Sequence, residues 1–186
     1  MEGVVNMRSS TALLAAIFML VCPALPVPAL ELNVSTVCDK SLFIDLGPSF
    51  EIVSNRFDDS SKGMISNDIT ISDTAQAGSA YVSVMTIFDK ILSMMNPDAL
   101  SGLLQAAGIE AVGEEGHREI GQWTALDSRG RNVSVTTMKA ANESERVPGG
   151  IYNISVWNLD SRTYILMVSS FDENNTTQII KTLTIS

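Results

Sequence analysis

Basic residues are scarce in this chain. Twelve lysines and arginines stand against twenty-one aspartates and glutamates, and the net charge is −9. No basic patch exists to displace phosphate counterions, so nucleic acid is excluded as a partner. Such acidity suits a soluble exterior protein kept in solution by like charge. Cysteine is scarcer, with Cys22 and Cys38 alone, and His117 is the single histidine. Long apolar runs are also missing. The longest, residues 12–22, has eleven residues, against the roughly 20 that a spanning helix needs. No Gly-x-Ser-x-Gly elbow and no phosphate-cradling glycine loop occurs, which removes the usual serine-hydrolase and nucleotide signatures.

The eleven-residue run has the length of a secretory leader core. Arg8 before it gives a weak positive start, partly offset by Glu2, and Pro23, Pro26 and Pro28 after it would end a helix. Val27-Pro28-Ala29 offers small residues where a signal peptidase reads, so cleavage is expected after Ala29. Two alternatives remain open: lipidation at Cys22, for which Val21 is a poor preceding residue, and an uncleaved N-terminal anchor, the one route to a membrane. The expected organisation is a signal peptide over 1–29, a short tether over 30–40 and a single domain over 41–186. Cys38 is then the only thiol, so no internal disulfide forms and the fold rests on its core. A chain of this length can bury enough apolar surface for that.

Six of the eleven asparagines sit in Asn-x-Ser/Thr: Asn33, Asn132, Asn142, Asn153, Asn174 and Asn175. Read as N-glycosylation acceptors, they agree with export and require side chains that face water. A β surface rich in serine, threonine and asparagine could make the same pattern by accident.

Along the chain, short apolar runs at 42–44 and 50–53 are broken by Gly47-Pro48. Residues 64–72 alternate as a half-buried strand does, and 80–85 form another. Phe88, Ile91, Leu92 and Met95 fall on one helical face. Asn96-Pro97-Asp98 then opens a second helix with a cap, a first-turn proline and an acid at the positive end. Its stripe is expected to be Leu100, Leu103, Leu104 and Ala107, and its stop Gly108. Strands are expected at 109–112, 119–126, 132–138, 151–157 and 163–169. The last is apolar at Tyr164, Ile165, Leu166, Met167 and Val168, hence buried on both faces, and helices are the available cover. A final helix starts from the cap Asp172 and carries Ile179, Ile180 and Leu183 on one face. The fold class is α+β, an antiparallel sheet flanked by helices.

The order of these elements, with the segments "TYILMVSSFDENNTTQIIKTLTIS" and "EIGQWTALDS", resembles the PsbP-like α/β/α sandwich over residues 41–186. The family takes its name from an extrinsic subunit of photosystem II. The resemblance implies an extracytoplasmic accessory or docking protein. It carries over no catalytic residue, because the family has no universal ones.

The best chemical cluster is Glu114, Glu115, His117 and Glu119, which could bind a metal or exchange protons. Gly113 and Gly116 flank its first part, which reads equally as a solvated hairpin tip. The stretch from Asp58 begins like a calcium loop but has Ile69 where the bidentate acid belongs. Cys38 as a nucleophile has only His117 to partner it. Of the two tryptophans, Trp123 and Trp157, Trp157 shares the face of Asn153 and Ser155 and is the candidate exposed anchor, unless a helix packs over it. The expected function is a noncatalytic exported accessory or binding domain at or outside the cell envelope. Its partner is an unknown protein or envelope component, with no cofactor. The alternatives are a metal-dependent hydrolase centred on His117 and a glycosylated cell-surface structural component.

Overall fold

The structure is a computed structural model, and it describes residues 30–33, 41–44, 50–59, 63–74, 78–113, 116–141 and 148–185. Ten strands and two α-helices are described in the order β1 (Leu30–Asn33), β2 (Ser41–Ile44), β3 (Phe50–Asp58), β4 (Met64–Asp73), β5 (Ser79–Ile87), α1 (Pro97–Val112), β6 (Arg118–Leu126), β7 (Asn132–Lys139), β8 (Ile151–Asn158), β9 (Thr163–Ser169), α2 (Glu173–Thr182) and β10 (Thr184–Ile185). Seven strands make one antiparallel sheet in the order β3-β4-β5-β9-β8-β7-β6. Two meanders, β3 to β5 and β6 to β9, therefore join at the β5–β9 seam. A small sheet, β1-β2-β10, pairs Thr184 with Phe43 and closes the C-terminus onto the N-terminal part. Leu30–Asn33, inside the stretch read as a tether, is thus a strand paired with β2. The rest of that stretch, Cys38 included, lies outside the described residues, as does the leader with Cys22.

One helix packs on each face of the large sheet, and the fold is α+β. Helix α1 lies on β8 and β9, while α2 lies against β6 and β2. Because side chains alternate along a strand, β9 feeds two cores. Ile165 and Met167 point to the α2 side, with Val82, Val84, Val135, Ile179 and Ile180. Tyr164, Leu166 and Val168 point to the α1 side, with Tyr152, Ile154 and Leu100. Every residue of β9 is buried, as the two-sided apolar run requires. Each such side chain contributes about 1.5–3 kcal/mol relative to an exposed one.

Local chemistry starts both helices where expected. The Asn96 side chain accepts from the Asp98 amide at 2.8 Å, ahead of Pro97. Asp172 accepts from the Asn175 amide at 2.8 Å. The end of α1 departs from expectation. The helix does not stop at Gly108, and residues 109–112 are its last turn rather than a strand. Gly108 is buried, and a Cβ there would lie 2.8 Å from Ile154 Cδ1 and from Leu166 Cδ1. The glycine brings the helix close to the sheet, which offsets its poor helix propensity of about 1 kcal/mol. The sheet-facing stripe consequently runs Leu100, Leu104, Gly108, Val112, at every fourth residue, with Leu104 partly buried, and Leu103 and Ala107 face solvent.

The helix expected around Phe88 is also absent. A single 3-10 turn, Leu92–Met94, stands in its place. The Asp89 carboxylate accepts from the amides of Ile91 and Leu92 at 2.8 and 2.9 Å, and the Gly63 carbonyl accepts from Phe88 and Asp89, both at 2.9 Å. These bonds hold the backbone in a turn. Phe88, Ile91 and Met94 remain exposed.

Candidate functional site

Two hairpin turns lie side by side at one end of the β6–β9 meander; an ion pair between buried Asp127 and half-exposed Arg131 orders the first, and Arg129 and Arg131 bond the carbonyls of the second. Asp127 follows β6 directly and is 3% exposed. Its Oδ1 accepts from the amides of Arg129 and Arg131 at 2.9 and 2.8 Å, and its Oδ2 accepts from Arg131 Nε at 2.8 Å. Arg131 also donates to the Asn158 carbonyl at 2.6 Å, and Arg129 donates to the Leu159 carbonyl. Ser128 reaches the Leu183 carbonyl at 2.9 Å. Burial alone would raise the Asp127 carboxyl. The hydrogen bonds and charge of Arg131, with the Arg129 amide, outweigh it and hold the group below its usual range. This arrangement is structural: every charged group in it is consumed by a partner.

His117 is held in a similar way. Its Nε2 lies 3.0 Å from the Gly113 carbonyl, which can only accept, so Nε2 carries the proton. Nδ1 then accepts from the Tyr152 hydroxyl at 2.9 Å. The two rings meet edge-on, with centroids 5.7 Å apart. Tyr152 is fully buried, and desolvation pushes its phenol up to about 12, so it stays a donor. Both imidazole nitrogens are thus occupied in tying the end of α1 to β8. Of the acids grouped with His117 in sequence, Glu119 is exposed on β6, and Glu114 and Glu115 lie outside the described residues. Among the described residues no three His, Cys, Asp or Glu side chains gather as a metal-holding group.

A cleft opens at the other end of the same meander, beside the start of α2. It has a volume of about 490 Å³. Trp123, Thr137, Ile151 and Asn153 come from three adjacent strands, and Asp172 and Glu173 stand at its rim. A hydrogen-bond chain holds these walls. Trp123 Nε1 donates to Thr137 Oγ1 at 3.3 Å, the Thr137 hydroxyl donates to Asn153 Oδ1 at 2.8 Å, and Asn153 Nδ2 donates to the Phe171 carbonyl at 3.0 Å. Behind it, Ser169 and Thr176 are linked at 3.0 Å, and Thr176 reaches the Phe171 carbonyl at 3.3 Å. The floor is hydrogen-bonded, the indole is half-buried, and the rim carries two carboxylates, of which that of Asp172 also caps α2. A second, more apolar cleft of about 370 Å³ lies between the end of α1 and Tyr81, Thr70 and Val168.

Two expected site residues belong to the interior. Trp157 is 6% exposed and packs in the core that contains Ile179 and Leu183. It does share a face with Asn153 and Ser155, but that face is covered, so it is no exposed anchor. The other tryptophan, Trp123, is the half-exposed one, because it lies on the edge strand β6. Asn153 is 6% exposed with its amide fully engaged, so the folded chain offers no acceptor there for a glycan. Asn132 and Asn174 face solvent, and Asn175 is half-exposed. The Asn33 side chain and Asn142 lie outside the described residues.

No family model, curated protein or solved structure matches the chain. No described helix is long and apolar enough to cross a membrane.

Proposed function

We propose that the chain is a noncatalytic, exported binding domain acting at or outside the cell envelope, and that the cleft beside α2 is its binding site. The observation that carries this reading is the cleft itself. It sets a half-buried indole beside a hydrogen-bonded floor, with Asp172 and Glu173 at its rim. A preordered wall loses little freedom when a ligand arrives. The acidic rim and the indole together suit a cationic group on the partner, such as a basic side chain. The leader-like pattern of residues 12–29 supports export. An antiparallel sheet with a helix on each face supports the PsbP-like α/β/α sandwich as the finer description of the fold. The only imidazole in the chain is engaged by backbone and phenol, which leaves the accessory role ahead of a hydrolase centred on His117.

The test is retention of a partner from the native envelope fraction by immobilised wild-type protein, compared with Trp123→Ala and Glu173→Lys at unchanged thermal midpoint. The reading expects both variants to release what the wild type retains. Equal retention by both variants would remove the cleft as the site.

A further inference from the structure

We infer that the outer edge of β3 is a docking surface for a second copy of this chain, through antiparallel pairing of residues 50–57 with the same residues of the copy. Among the described residues β3 pairs only with β4, and it forms one edge of the large sheet. It is long for an edge strand and exposed over most of its length. Val53 and Phe57 are 55% and 46% exposed. Such an edge is a template for another strand.

The register follows from the bulge. Ile52 pairs with Ile71 and Ser54 with Thr70, so Val53 is an extra residue in the ladder. By alternation, Phe50, Ile52, Asn55 and Phe57 face the α2 side, while Glu51, Ser54 and Arg56 face the other. When a sheet continues across a two-fold axis, each residue must meet one from its own face. For residues 50–57 one register satisfies this throughout. It sets Phe50 against Phe57, Glu51 against Arg56 and Ile52 against Asn55, each twice, with the two bulges together at the centre. Shifting it by two residues sets Glu51 against Asp58 and mixes the faces at the centre. The opposite edge, β6, lacks this symmetry, because its bulge at Ile120 lies near one end.

In the single chain, Glu51 and Arg56 guard the edge as charges. In the paired edge they become complementary, and the sheet runs unbroken through both copies. The surface is distinct from the cleft beside α2, so dimerisation leaves that cleft open.

Sedimentation of the purified native protein over a concentration series tests this, with circular dichroism melting to verify folding of each variant. The inference expects a reversible monomer–dimer equilibrium. Arg56→Glu alone and Glu51→Arg alone each set like charges opposite one another twice, and each weakens association on the order of tenfold or more. The double variant Glu51→Arg/Arg56→Glu restores it. A wild type that stays monomeric at every concentration overturns the inference. So does a dimer that neither single reversal weakens, or one that the double variant fails to restore.

Discussion

Strands β3 and β9 belong to one antiparallel sheet, separated only by β5 and β4, and their environments are opposite. Both carry large apolar side chains. In β9 every residue is buried, because α1 covers one face and the α2 core the other. In β3 most residues are exposed, and only Phe50 and Ile52 pack partly against the core. Strand composition is therefore a weak guide to burial. Position in the sheet and cover on each face decide it. The central strand carries stability, and β3 has one strand neighbour among the described residues.

The largest expected effect comes from the ion pair that frames the β9 end of the sheet. Asp127→Ala removes three hydrogen bonds to a buried carboxylate, from half-exposed Arg131 and two backbone amides, and at about 1.5–3 kcal/mol for each such bond, not fully additive, should cost about 3–5 kcal/mol in denaturant unfolding. The same carboxylate gives an acid sensitivity. Its folded pKa is depressed, so its stabilisation is present above the unfolded value of about 3.9 and is lost as pH falls through the lower folded value. The variant should lack that part of the acid transition.

Next is a direct contrast between the strands. Met167→Ala in β9 should cost about 2–5 kcal/mol, through lost transfer and the cavity it opens. Val53→Ala in β3, measured as monomer, should stay within about 0.5 kcal/mol. Similar losses at both sites would dissolve the contrast.

Gly108→Ala probes the α1 cover of β9 and should cost about 1–3 kcal/mol, since the new methyl meets Ile154 and Leu166. A more stable variant would mean that those side chains yield and that helix propensity prevails.

The mildest probe is alkaline. Tyr152 and Tyr164, both on the α1 side, have their phenols raised by burial, Tyr152 to about 12. Because the folded values lie above the unfolded value of about 10, their stabilisation is complete below pH 10 and fades as pH rises toward 12. Tyrosinate absorbance should therefore appear for these two together with unfolding, later than for a free phenol.

Much of the frame was legible in the residues themselves. The unbroken apolar run in β9 implied cover on both faces, and Asn96-Pro97-Asp98 and Asp172 marked helix starts by caps that act locally. What failed depends on distant partners. A glycine such as Gly108 can end a helix or let it touch a sheet, and only Ile154 and Leu166, far along the chain, decide between them. The Phe88 face had helical spacing, but Asp89 and Gly63 bind its amides first. Alternation placed Trp157 and Asn153 on one face correctly. Alternation does not reveal that the α2 core covers them, and so it does not single out Trp123, on the less crowded edge strand, as the half-exposed indole.

Amide hydrogen exchange under native conditions, at a concentration that keeps the chain monomeric, compares the two strands most directly. Amides of β9 should exchange only through global unfolding, with protection matching the full unfolding free energy, while those on the outer edge of β3 exchange through local opening. Exchange from β9 as fast as from β3 would mean that the strand is not enclosed between two helical layers, and the architecture described for this chain would be wrong.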